Sequence, residues 1–137
     1  MAHAADSPSQ VLLNYTRAVD QRDWAALDAC FWPDGRVEGT RFVDETPEYL
    51  AKLKASLEPF SSTMHALHNQ YVEEQPDGTV RVDTYCVAYH VDRASGGNAP
   101  TLTVGVIYHD RMRREGDEWR IAHRSTEMKW AEGTFLV

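Results

Sequence analysis

The stretch TMHALHNQYVEE, residues 63–74, decides how the chain is read. Its two histidines are three apart, a spacing that suits a metal pair on a helix. Its β-branched and aromatic residues, and the Pro76-Asp77-Gly78 that follows, mark it instead as a strand running into a turn. Strand side chains alternate faces, so His65, Leu67, Asn69 and Tyr71 share one face, while Met64, Ala66, His68 and Gln70 take the other. The parity separates the two histidines. His3 and His109 offer no better spacing, so no metal site is expected.

Three further segments downstream have the same character: Val80–Val91, Leu102–Arg113 and Trp119–Trp130. Ser95-Gly96-Gly97-Asn98 and Glu115-Gly116-Asp117 separate them, so the spacing predicts four long strands in an antiparallel meander. On the second strand Val82, Thr84, Cys86, Ala88 and His90 share a face suited to a concave interior. Arg81, Asp83, Tyr85, Val87 and Tyr89 form the other face, partly apolar and suited to a homodimer or homotrimer contact.

Upstream of residue 60 the period is helical. Ser7-Pro8-Ser9-Gln10 reads as a cap, a first-turn proline and a capping-box glutamine, with Leu12, Tyr15 and Val19 as the apolar stripe. A second helix is expected from Asp23, with Trp24, Leu27 and Phe31 inward. It should end before a turn at Trp32-Pro33-Asp34-Gly35. Arg36 to Glu38 can form a short strand. Thr46-Pro47 opens a third helix carrying Leu50, Leu53 and Leu57, and Pro59 ends it. Three helices followed by a sheet is an α+β layout in which helices cover one sheet face, here as one domain over residues 1–137.

The formal charge of −7 argues against a grip on nucleic acid or anionic membranes. Cys30 and Cys86 form no spaced framework. The opening MAHAADSPSQ lacks the basic and apolar regions of an export signal, and no apolar run is long enough to span a bilayer, so a cytoplasmic protein is expected. Eleven arginines against three lysines fit a GC-rich bacterial genome.

An inward His65 has two readings: a core histidine satisfied by one hydrogen bond, or a base. Asp20, near the end of the first helix, has two as well, as a local cap or as a carboxylate reaching His65 across the sheet. A carboxylate on one imidazole nitrogen leaves the other as a competent base.

Tyr15, the run Asp20-Gln21-Arg22-Asp23-Trp24, Phe31 and Asp34, His65 and Asn69, Tyr108 and Asp110, and Trp119-Arg120-Ile121 with Arg124 fall in order along nearly the whole chain. Together they resemble the SnoaL-like group of the nuclear transport factor 2-like superfamily. The resemblance implies a cone-shaped α+β barrel, with three N-terminal helices on a strongly curved, mostly antiparallel sheet. It also implies a cofactor-independent lyase of the dehydratase type, acting on a small apolar cyclic molecule. Isomerases, polyketide cyclases and non-catalytic binding or accessory domains are the alternatives on the same fold. Carried over by position, Asp20 and His65 become the base dyad, Tyr15 a hydrogen-bond donor to developing charge, and His90 a candidate acid. Asn69, Thr84, Tyr108, Arg124 and Trp24 become candidates for lining the substrate, with Arg124 paired to Asp110.

Overall fold

The computed structural model describes residues 5–133, so His3 lies outside the described residues. Helix α1 (Pro8–Gln21) begins as its cap chemistry dictates, with the Ser7 hydroxyl accepting from the Gln10 amide at 3.2 Å. Val11, Leu12, Tyr15, Ala18 and Val19 form its buried stripe. The helix ends at Arg22, which adopts the left-handed conformation (φ 57°). Helix α2 (Trp24–Asp28) starts on the Asp23 side chain, which accepts from the Ala26 amide.

The second helix is shorter than the sequence predicts. Phe31 does not lie on it, and the expected turn at Trp32–Gly35 is part of strand β1 (Phe31–Glu38). Pro33 survives in a strand because the β1 register shifts between Phe31 and Arg36, where the ladder is interrupted. Gly35 is required there, since a Cβ would collide with the Ala122 carbonyl of the neighbouring strand. Gly35→Ala is therefore expected to destabilise the chain by about 1–3 kcal/mol, because backbone rather than a flexible side chain must move. Urea denaturation checks this, and an unchanged midpoint would refute it.

Strand β2 (Val43–Glu45) and helix α3 (Thr46–Ser56) follow, and the sequence reading had no counterpart for β2. The four long strands are present as β3 (Phe60–Glu74), β4 (Val80–Asp92), β5 (Leu102–Glu115) and β6 (Glu118–Gly133). They pair in sequence as an antiparallel meander. Strand β1 adds in parallel to β6, and the full order is β2-β1-β6-β5-β4-β3. The fold is thus α+β, with helices on one side of a mostly antiparallel six-stranded sheet. The core lies between them: Leu12, Tyr15, Leu27, Phe31, Val82, Met112 and Ile121 are all essentially inaccessible. Among the described residues no helix is long and apolar enough to cross a membrane.

The outer face of the sheet exposes Met64, Tyr71, Tyr85 and Trp130. It also carries an ionic bridge across three strands. His109 on β5 places Nδ1 2.7 Å from Asp83 of β4 and Nε2 2.8 Å from Glu127 of β6. Donating from both nitrogens requires an imidazolium. Partial burial lowers the His109 pKa, but the hydrogen bonds to Glu127 and Asp83 outweigh it and raise the net value above 6.5. A raised folded-state pKa means the bridge stabilises fully below the unfolded value and is lost as pH rises through the folded one. The stability gap between the native chain and His109→Gln should therefore be widest near about pH 6 and shrink toward about pH 9. Thermal melts at several pH values measure it, and a gap that widened with pH would reverse the assignment.

Candidate functional site

Asp20 stands in the last turn of α1 and faces β3. Its Oδ1 lies 2.7 Å from His65 Nδ1, and its Oδ2 accepts from the His65 backbone N–H at 2.9 Å. The Thr63 hydroxyl donates to Oδ1 at 3.0 Å. Thr63 is itself held by Arg22, whose Nη1 donates to its Oγ1 at 2.9 Å and to the Val19 carbonyl at 2.7 Å. The left-handed turn that ends α1 brings Arg22 into this position, so the helix terminus and the site are one piece of geometry.

Burial alone would raise the Asp20 pKa. Hydrogen bonds from the His65 ring and backbone outweigh that, and the net value falls below 3.8. An ionised Asp20 can only accept, so His65 Nδ1 carries a hydrogen, and in the neutral ring the lone pair then lies on Nε2. Nε2 makes no hydrogen bond to any described residue. The arrangement is an oriented imidazole with its basic nitrogen uncommitted.

Tyr15 is buried and meets the His65 ring edge-on, with centroids 6.5 Å apart. It also packs against Tyr108 at 5.6 Å and Phe31 at 6.0 Å. Burial raises the pKa of Tyr49, Tyr15 and Tyr108, so all three are neutral phenols. Arg124 lies between two of these rings, 4.2 Å from Tyr15 and 4.0 Å from Tyr108. Its Nε and Nη2 donate to Asp110 at 2.7 and 3.0 Å, both side chains being wholly buried. Arg124 Nη1 is buried with no acceptor among the described residues.

His90 shares the concave face, its ring 6.2 Å from that of His65 and 4.9 Å from Phe60. Its Nδ1 lies 3.2 Å from the Leu102 carbonyl. Burial, the largest influence, lowers its pKa below 6.5, so His90 is neutral near neutral pH and suited to accepting rather than donating a proton. Thr84 is fully buried on the same face. Cys86 beside it is a thiol, pushed up by burial to about 12, which leaves no thiolate nucleophile there.

Two candidates are not where simple alternation put them, or not with the others. A one-residue bulge in β3 sits between Leu67 and Gln70, where His68 and Asn69 together oppose Tyr85 of β4. The bulge reverses the parity beyond it. Asn69 is exposed and bonds only Tyr71, while Gln70 turns inward and donates to Thr84 at 3.0 Å. Asn69 is therefore corrected from the concave to the outer side. Tyr71 turns outward with it. Trp24 is half-buried against the hydrophobic core at the start of α2 and makes no polar contact with the dyad. His65 and His68 do face opposite ways, and among the described residues no group of three or more potential ligands could hold a metal.

Tyr49 and Arg22 were not singled out in the sequence. Tyr49 had a usable signal, since it lies four residues before Leu53 on one face of α3. Arg22 had none, because its role depends on a left-handed backbone.

A cavity of about 390 Å³ opens on the concave side, lined by Phe42, Tyr49, Leu53, Thr126 and Met128 among others. Pairing places Thr126 and Met128 on the same face as Tyr108 and Val106. Tyr49 meets Phe31 with ring centroids 6.4 Å apart, and Phe31 meets Tyr15, whose ring in turn meets that of His65. The His65 side chain is only 6% exposed, so a ligand reaches Nε2 only as neighbouring side chains give way.

Among solved structures, a scytalone dehydratase candidate from Novosphingobium aromaticivorans superposes with a TM-score of 0.80 at 16% identity, covering 94% of this chain and 86% of that one. The hexachlorocyclohexane dehydrochlorinase LinA-type3 from Novosphingobium barchaimii superposes at 0.75 with 14% identity, over 94% and 90%. ActVI-ORFA from Streptomyces coelicolor superposes at 0.76 with 20% identity, over 88% and 94%. A comparison with curated protein sequences finds no match. The family model for the SnoaL-like domain matches residues 6–125.

Proposed function

Because the chain belongs to the SnoaL-like domain family, we propose that it is a cofactor-independent acid–base enzyme, a lyase of the dehydratase type, acting on a small apolar cyclic molecule. The observation that carries this reading is the 2.7 Å contact between Asp20 and His65 Nδ1, which leaves Nε2 as the base. Two of the structural neighbours are named for eliminations, a dehydration and a dehydrochlorination.

In the proposed cycle Nε2 removes a proton from the carbon next to a carbonyl, and the C–H electron pair passes into an enolate. Tyr15, a neutral phenol whose ring meets that of His65, donates a hydrogen bond to the enolate oxygen, where charge develops. Collapse of the enolate breaks the carbon–oxygen bond at the β position. The departing hydroxide takes the proton held on His65 and leaves as water, restoring the neutral imidazole. His90 accepts a hydrogen bond from the leaving hydroxyl and aligns it. Thr84, Tyr108 and Arg124 shape the wall and hold Tyr15. The apolar cavity at Phe42, Tyr49, Leu53 and Met128 suits the body of a cyclic substrate.

Isomerisation or cyclisation would begin with the same abstraction, so the first test addresses that step alone. Cyclic ketones in deuterium oxide, followed by proton NMR, should exchange their α-hydrogens in the presence of the native chain. His65→Ala should return exchange to the uncatalysed rate. Absence of exchange across a panel of such ketones, with one of them bound stoichiometrically, would point to a binding domain instead.

A further inference from the structure

The largest hollow described, about 580 Å³, lies on the other side of α3, between that helix, strand β1 and the end of α2. Its volume falls in the range of small-molecule sites, roughly 300–1,000 Å³. Phe31, Pro33, Leu50 and Ala51 make its wall largely apolar, and three charged residues, Asp28, Lys54 and Arg120, interrupt it. Lys54 Nζ is 2.8 Å from Asp28. Arg120 lies over the Trp32 ring at 4.5 Å, with Nη2 donating to Glu118 at 3.0 Å and Nη1 to the Phe31 carbonyl at 3.5 Å. Of its remaining N–H groups, Nε–H is buried and has no acceptor among the described residues. A buried cationic donor left unpaired costs free energy that a bound acceptor would recover. The overall charge of −7 offers anions no general attraction, so an anion held here must be held locally.

We propose that this hollow binds an amphipathic carboxylate. Its apolar body lies along Phe31, Leu50 and Ala51, and its carboxylate accepts from the Arg120 guanidinium, which shifts to bring the buried Nε–H onto it, with Lys54 as second cation. The site does not depend on the Asp20–His65 reading. Phe31 lines the hollow and its ring also packs against Tyr15, with centroids 6.0 Å apart, while neither Asp20 nor His65 lines it.

Isothermal titration of the full chain with decanoate, and with decanol as the uncharged probe of equal chain length, tests the site. One saturable decanoate site is expected, with decanol weaker by about tenfold or more, as loss of a charge-assisted bond implies. Arg120→Met should bring decanoate down to the decanol level. Ala51→Trp, at an exposed helix position, should fill the hollow and abolish both, which decides the matter if Arg120→Met does not fold. Asp20→Asn should bind decanoate unchanged. Equal affinity for the two probes, no saturable binding, or binding that is lost in Asp20→Asn and kept in Ala51→Trp would overturn the proposal.

Discussion

Asp20→Asn should fold normally and lose about 10²–10⁴-fold in the rate of α-proton exchange, the range that a positioned general base contributes. Three hydrogen bonds converge on this carboxylate: from the His65 ring, the His65 backbone N–H and the Thr63 hydroxyl. A carboxylate has two accepting oxygens, whereas an amide has one, so in the variant at least one of these donors meets an NH₂ group. If the ring is the one displaced, Nδ1 becomes the acceptor and Nε2 acquires the hydrogen, which removes the lone pair the reaction needs. Side-chain volume is almost unchanged, so packing against α1 should survive. The check pairs exchange rates with a thermal melt. A variant that melts like the native chain and exchanges at the native rate would refute the dyad, whereas one that fails to fold would show the contact to be structural. Thr63→Ala should fall between, removing one donor while leaving the ring bond in place.

The legibility of this arrangement in the sequence divides along physical lines. Period-2 alternation placed His65 and the β4 set from Val82 to His90 on the concave face, because β4 pairs without a break from residue 80 to 90. The same rule failed at Asn69, since a bulge inserts one residue and inverts every side chain beyond it. Helix starts were legible because their caps are local chemistry: Ser7 and Asp23 accept from amides three residues on. The end of α2 was not, because Phe31 fits a helical stripe as well as a strand, and only pairing with β6 decides it. The residues alone allow Asp20 to reach His65 but favour a local cap, and the family resemblance is what shifts the weight to His65. Arg22 illustrates the remaining gap, since its bond to Thr63 depends on a left-handed backbone that has no local signature.

The second large effect concerns Asp110 and Arg124. Both side chains are fully buried, joined by bonds of 2.7 and 3.0 Å, and burial opposes the charge on Arg124 while Asp110 restores it. Removing one member leaves the other charged and unpaired in the interior. Asp110→Ala is therefore expected to cost about 3–5 kcal/mol in urea denaturation, the usual penalty for breaking a buried pair from one side. Replacing both, as Asp110→Leu with Arg124→Met, should be far milder, since two apolar groups of similar volume leave no stranded charge. The double variant also separates stability from the site. The guanidinium packs between Tyr15 and Tyr108 and so fixes the ring that meets His65. Methionine fills that space without the cation–ring attraction. Stability should thus recover while α-proton exchange stays reduced. If exchange recovers together with stability, Arg124 acts on the fold alone; if Asp110→Ala melts within about 1 kcal/mol of the native chain, the pair is not the buried, desolvated bridge that its geometry describes.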